Sequence, residues 1–281
     1  MLLDKVQKFI AKNGTNIKED QYFLIDEDAI NKLVEIADIN DSDRVLEIGP
    51  GLGFLTKSLA SKAESVIAIE KDEKFRETLS VLPKNVEVIF GDAYKLLNNQ
   101  SFREKTSPPN KTVSNIPYSQ AQNMLHNYTN HEWYQGDLIW VAPLSMVNKI
   151  NNEPILGAYF HAELVEIVSK SSFYPEPNTT SAIIIFKRIP DPVKTKNFEI
   201  YFRRWLYSHE AWKVKNAIRE GIIAAAFDLK NKKITKNQAR KLIDSLNIPE
   251  QELEKLTNNI LPNYYFDIPN KLQELLDSLK N

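Results

Sequence analysis

The stretch RVLEIGPGLG, residues 44–53, runs as an apolar strand past Glu47 and then breaks into a turn carrying Gly49, Gly51 and Gly53. FLTKSLASKA follows at once and has the character of a helix. Strand, glycine turn and helix in that order form the nucleotide-facing hairpin of an open parallel sheet. The chain has only eight glycines. Three of them within five residues point to backbone that needs positive φ or that a ligand approaches closely. Read alone, the stretch predicts a nucleotide-like cofactor and nothing finer.

Outward from this hairpin, strands and helices alternate. VIAIE at 66–70, VEVIF at 86–90, KTVSNI at 111–116 and DLIWVA at 137–142 are the next strands, and KDEKFRETLSVL is a helix between the first two of them. The polar, two-proline stretch NNQSFREKTSPPNK at 98–111 reads as a loop. AELVEIVSK at 162–170 and SAIIIFKR at 181–188 are expected as a hairpin-like pair at the sheet edge. Such alternation predicts an α/β fold, a Rossmann-like parallel sheet covered on both faces. An antiparallel edge strand would make the sheet mixed. Upstream, Asp26 caps a helix with Ile30, Leu33, Val34 and Ala37 at helical spacing. Residues 4–13 predict a short amphipathic helix that packs loosely. IPDP at 189–192 reads as a domain boundary. Beyond it FEIYFRRWLYSHEAWKVKNAIREGIIAAAF, TKNQARKLIDSL and PNKLQELLDSLK are helical. The expected organisation is therefore a cofactor-binding domain over 1–190 and an all-helical domain over 191–281.

A chain of 281 residues with 42% hydrophobic and 26% charged content is an ordinary globular composition. With no cysteine, disulfides, thiolate metal sites and cysteine nucleophiles are excluded, and the composition fits a cytoplasmic protein. MLLDKVQKFIAKNG lacks a signal-peptide core. No apolar run approaches the ~20 residues that span a bilayer, so no membrane partner is expected. The net charge of −1 hides an asymmetry. Residues 1–190 carry 20 Lys+Arg against 25 Asp+Glu, whereas 201–241 carry 11 against 3. A local excess of this kind suits phosphates, and equally a solvated helical surface.

Three strand ends carry the chemistry. Glu70 ends the second strand of the alternation, over the carboxyl edge, where an acid accepts hydrogen bonds from ribose hydroxyls. Asp92, in FGDA, stands where a carboxylate can accept from an adenine amine, although turn chemistry alone also favours Gly-Asp. To this point a nicotinamide-dependent dehydrogenase is equally allowed. Asn115-Ile116-Pro117-Tyr118 discriminates. An adenine exocyclic amine is a poor nucleophile because its lone pair is delocalised into the ring. A site that methylates it needs acceptors for both amine hydrogens. The Asn115 side chain and the Ile116 carbonyl can supply them, Pro117 fixes that backbone, and Tyr118 can stack on a flipped base.

QYFLID, LEIGPGLG, IEKD, FGDA, NIPY and FYPEPNTTSAIIIFKR, in this order, resemble the ribosomal RNA adenine N6-dimethyltransferases. That family includes small-subunit enzymes of ribosome biogenesis and macrolide-resistance enzymes acting on large-subunit rRNA. The resemblance covers about residues 18–190 and continues more weakly through FRRWLYSHEAWKVKNAI, which is similar to the helical domain of archaeal and eukaryotic small-subunit enzymes. It implies a class I methyltransferase that uses S-adenosylmethionine and acts, as a monomer, on ribosomal RNA or a ribosomal subunit particle. By it, Glu47, Gly49, Gly51 and Gly53 face the methionine part, Glu70 the ribose and Asp92 the adenine. Gln21, Tyr22 and Leu24 occupy cofactor-contact positions. Asn115 holds the target amine, and Phe173 stacks on the target base with Tyr118. Two stretches depart from the family pattern. Asp20 and Tyr22 replace the usual Gly and the Asn or His around Gln21, and APLSMVNKINN lacks the Gln-Lys-Glu run normally found after the fifth strand.

His126, His131, His161 and His209 show no metal-ligand spacing, and His126 and His131 read as surface residues. Trp205, Tyr207 and Trp212, interleaved with Arg203, Arg204, Lys213 and Lys215, are divided between core packing and RNA contact. Small-subunit dimethylation is the expected function. Large-subunit methylation of the antibiotic-resistance type, and a non-catalytic relative serving in ribosome assembly or transcription, stay open.

Overall fold

A computed structural model of the chain describes residues 1–13, 21–129, 133–134 and 136–278; Asp20 and His131 lie outside them. Nine strands form: β1 Phe23–Leu24, β2 Arg44–Ile48, β3 Ser65–Glu70, β4 Val86–Phe90, β5 Lys111–Asn115, β6 Leu138–Pro143, β7 Phe160–Val168, β8 Phe173–Tyr174 and β9 Ser181–Arg188. Seven make one sheet in the order β4-β3-β2-β5-β6-β9-β7, and β1 pairs with β8 in a separate ribbon. The β2–β3, β3–β4, β2–β5 and β5–β6 pairs are parallel, and β9 runs antiparallel to β6. β2, β3 and β6 are buried almost end to end, as strands covered on both faces must be.

The strand order decides where a ligand can sit. The chain winds outward from β2 through β3 to β4, then returns to start β5 on the other side of β2. Adjacent strands whose connections leave in opposite directions open a crevice at their carboxyl ends. β2 ends at Ile48, just before Gly49, and β5 ends at Asn115. The two most informative sequence motifs thus meet at the switch point.

By internal contacts the chain divides into two compact units, one comprising 1–151 with 161–188 and the other 152–160 with 189–281. In the first, Leu33, Leu59, Val45, Val66 and Val113 are completely buried against the sheet. In the second, helices Phe198–Ser208, Val214–Lys230, Lys236–Asp244 and Tyr264–Ser278 share a core that includes Phe202, Ile218, Ile222 and Leu272. Thr235 and Gln238 close a reciprocal capping box on the third of these helices. A Cβ on Gly221 would stand 2.7 Å from the Trp205 ring and 3.0 Å from Phe202. That ring cannot yield: its Nε1 donates to the Ala217 carbonyl at 2.8 Å and it stacks on His209 at 4.1 Å. Gly221→Ala is therefore expected to destabilise the protein by about 1–3 kcal/mol, despite the better helix propensity of alanine. A urea midpoint equal to or above that of the parent contradicts this.

Several elements differ from the sequence expectation. Residues 98–111 contain a helix, Gln100–Lys105, capped by Asn99. It buries none of its residues, so it shows no apolar periodicity to betray it. The helix expected over 71–82 shrinks to a 3-10 turn at Glu73–Phe75 and a single turn at Arg76–Leu79. The first helix, Leu2–Asn13, is firmly docked: Val6 is fully buried and Phe9 stacks on Phe75 at 4.8 Å. The long helix after residue 197 breaks over 209–213, where Trp212 and Val214 are tied by backbone hydrogen bonds to Thr257 and Lys255. His126 is half-buried on helix Ala121–Thr129. Among the described residues no helix is long and apolar enough to cross a membrane, and no cluster of His, Cys, Asp or Glu could hold a metal ion.

Candidate active site

The crevice at the switch point is one cleft with two lobes. Gln21, Tyr22, Leu24, Glu47, Gly49, Gly51, Glu70 and Asn115 to Tyr118 line the first. Asp92 lies in the second, which shares Gln21, Gly49, Glu70 and Pro117 with the first. Two of the expected site residues stay outside. Gly53 has φ 74° and starts helix Phe54–Ala60 against Leu79 and Leu82, so its lack of a side chain serves the turn and its packing. Phe173 is 1% exposed, paired with Leu24 across the β1–β8 ribbon in the core, and in this structure offers no ring face to a base. Segment 142–152, which departs from the family pattern, forms the end of β6 and helix Met146–Asn152 and lines neither lobe.

The glycine turn is pinned from the neighbouring strand. Gly49 N donates to the Ile69 carbonyl at 2.9 Å. Glu70 receives Gly51 N–H at 3.0 Å on one carboxyl oxygen and Asp72 N–H at 2.8 Å on the other. Burial raises the Glu70 carboxyl above its ordinary range, and these backbone donors oppose the rise. Asp92 caps helix Ala93–Asn98 and pairs with Lys71 at 2.8 Å, and the hydrogen bond from Lys71 holds its carboxyl below the ordinary range.

Glu47 is the anomaly beneath the turn. It is 2% exposed and its Oε2 has no hydrogen-bond partner. Burial pushes its carboxyl up from 4.5 to about 8. In the unfolded chain it ionises at the lower value, so between the two values the folded state holds the extra proton. Stability then falls as pH rises through that window, by up to about 1.4 kcal/mol per pH unit. Glu47→Gln keeps the neutral shape and is expected to lose that slope and to melt above the parent at about pH 8. Melting temperatures of the two that run parallel from about pH 5 to pH 8 refute it.

The other half of the site is built on the end of β5. Asn115 Nδ2 donates to the Tyr22 carbonyl at 2.8 Å. A carbonyl only accepts, so this contact fixes which end of the amide faces which way. Asn115 lines the first lobe, and its Oδ1 is buried and without a hydrogen-bond partner. Buried acceptors are nearly always satisfied, and an orphaned one in a cleft marks a place where a donor belongs. The Tyr118 hydroxyl is hydrogen-bonded to buried Ser181. The Tyr22 and Tyr118 rings lie 5.2 Å apart at 41°. The β1–β8 ribbon sets the height of Tyr22: Ile25 N donates to the Ser172 carbonyl at 2.8 Å, and Ser172 Oγ donates to Asp26 at 2.7 Å. No role for Lys71, Ser172 or Ser181 follows from sequence reading, although Lys71 stands in IEKD and Ser181 in FYPEPNTTSAIIIFKR.

The family model for ribosomal RNA adenine dimethylase matches residues 12–248. A probable ribosomal RNA small subunit methyltransferase A of Methanosarcina barkeri is 31% identical, over 98% of this chain and 92% of its own. Its namesake in Pyrococcus furiosus is 31% identical, over 83% and 87%. Among solved structures, a dimethyladenosine transferase of Plasmodium falciparum shares the fold with TM-score 0.56 at 20% identity, covering 90% of this chain and 98% of that one. The 23S rRNA methyltransferase ErmE does so with TM-score 0.53 at 21% identity, covering 89% and 99%.

Proposed function

The chain belongs to the ribosomal RNA adenine dimethylase family, and we propose that it dimethylates the N6 amine of adenosine in small-subunit ribosomal RNA with S-adenosylmethionine as methyl donor. The observation that carries this is the orphaned Asn115 Oδ1 beside the glycine cleft. An adenine amine has two hydrogens to place, and this acceptor is already buried, oriented and waiting for one.

The cleft fits the cofactor by its donor set. Glu70, whose carboxylate lines both lobes, suits ribose hydroxyls. Asp92 and the Gly91–Ala93 backbone suit an adenine edge, and Gly49 with Gly51 leaves room for the methionine part. When bound, the cofactor supplies a methyl group activated on a sulfonium. The protein's own share is positioning. Asn115 accepts one amine hydrogen and so holds the nitrogen lone pair clear of the ring. Pro117 keeps the Ile116 carbonyl fixed for the other hydrogen. Tyr118, tied to Ser181 and packed against the Tyr22 ring, borders the place where the base must stand. The nitrogen becomes acidic as it gains the methyl, so its proton leaves to water and no strong base is needed. Catalysis of this kind rests on orientation. In this reading residues 1–190 carry the chemistry and 191–281 face the RNA.

Labelled-methyl transfer to small-subunit particles, large-subunit particles and naked rRNA in parallel, followed by mapping of the labelled base, tests the assignment. Label on N6 of a small-subunit adenosine is expected. Label confined to large-subunit RNA, or cofactor binding with no transfer to any RNA, rejects it.

A further inference from the structure

The excess of positive charge over 201–241 is largely used inside the helical unit. Arg203 is buried and donates to the Pro154 and Glu153 carbonyls, and Arg204 donates to those of Ala158 and Ile189. Lys213 and Lys215 share Glu254. Arg219 and Lys236 share Glu220, and Lys230 pairs with Asp277. Lys233, Arg240 and Lys241 of this window are exposed without an ion pair among the described residues, and the first unit, acidic in total, holds a further group that lines one groove. Lys5, Lys8 and Lys12 fall three and four residues apart on helix Leu2–Asn13, hence on one face, about 5–6 Å from neighbour to neighbour. The opposite face, through Val6, Phe9 and Ile10, packs against Phe75 and Leu79 and holds the helix down. Lys57 and Lys74 complete a groove with these three. All five are exposed. Among the described residues only Lys12 has an ion-pair partner, Glu77, which is also the only acid in the groove.

Leu52 and Phe54 line both this groove and the first lobe of the cleft. We propose that the groove binds consecutive phosphates of the RNA strand whose adenine enters the cleft, an inference that rests on the reading of the chain as an RNA methyltransferase. Like charges held together on a docked helix, with only Lys12 paired, repel one another, and that arrangement invites a polyanion. Lys5 to Lys12 spans about 10 Å along the helix axis, more than one phosphate can occupy. Lysines are point charges on flexible stems, suited to a backbone held without regard to sequence. The base is then selected in the cleft and the strand held beside it.

The test uses the full chain and a fluorescent RNA hairpin with adenines in its loop. The triple variant Lys5→Gln, Lys8→Gln, Lys74→Gln keeps good helix formers in place. The slope of log affinity against log salt is expected to become shallower by about 2 to 3. S-adenosylmethionine affinity by calorimetry stays at the parent value. The ion-paired control, Lys32→Gln with Lys187→Gln, leaves the slope nearly unchanged. A triple variant that methylates RNA and keeps the parental slope overturns the groove and leaves the proposed function standing. Lysine-dependent RNA binding by a parent that transfers no methyl supports the groove and rejects the function. A parent that binds no RNA, or that prefers vesicles of anionic lipid to RNA, overturns the groove.

Discussion

Asn115→Ala is expected to lower methyl transfer by about 10²–10³-fold, the cost of removing one preorganised hydrogen-bonding group from a reacting centre. S-adenosylmethionine affinity should change by no more than about threefold, because Glu70 and the glycine turn are untouched. The separation follows from geometry. Asn115 Nδ2 is committed to the Tyr22 carbonyl, and only Oδ1 is left for a ligand. Alanine removes the acceptor for the amine, while the β1–β8 ribbon still holds the segment that carries Tyr22. Asn115→Asp keeps an acceptor and replaces the donor to Tyr22 by a repelled oxygen, and it should retain more binding than activity. Calorimetry with the cofactor beside single-turnover transfer to RNA separates the two quantities. Equal losses of affinity and rate in Asn115→Ala would reject the role assigned to Oδ1.

Glu70→Ala should act at the other step. Its carboxylate holds Gly51 N–H and Asp72 N–H while presenting to the cleft. Hydrogen bonds to a charged group contribute about 1.5–3 kcal/mol each, which corresponds to about 10- to 150-fold in cofactor dissociation constant. Turnover at saturating cofactor should fall far less, since nothing at Asn115 moves. Glu70→Gln keeps one acceptor oxygen and should lose less than alanine. A dissociation constant unchanged in Glu70→Ala, measured on protein with parental melting temperature, removes Glu70 from the ribose site.

The glycine turn and Asn115 to Tyr118 were legible because their chemistry is local. A turn that needs positive φ must be written in glycine, and an amine acceptor beside a proline leaves few other readings. The seven-stranded sheet followed from alternation for the same reason. What stayed hidden depends on partners from far along the chain. Ser181 meets Tyr118 across 63 residues, and Lys71 meets Asp92 across 21. No periodicity reports such meetings. Helix Gln100–Lys105 buries nothing and so resembles a loop. A charge count also leaves pairing open: Lys213 and Lys215 share Glu254, which lies outside the basic stretch 201–241. Phe173 shows the limit of a motif: a motif names the residue, whereas the packing that buries it beside Leu24 depends on a strand about 150 residues away.

The β1–β8 ribbon also fixes an order in time. Tyr22 and Asn115 are set by a ribbon whose Asp26–Ser172 bond joins residues 146 apart in sequence. During synthesis at about 5–20 residues per second, some 7–30 s pass after Asp26 emerges before its partner exists. Closing that interval also carries the entropy of a long loop. The glycine turn and β3 can form early from neighbouring segments, but the wall bearing Tyr22 cannot. A nascent chain thus forms the glycine turn before the wall that carries Tyr22, and the cleft is whole only when the first unit is essentially complete.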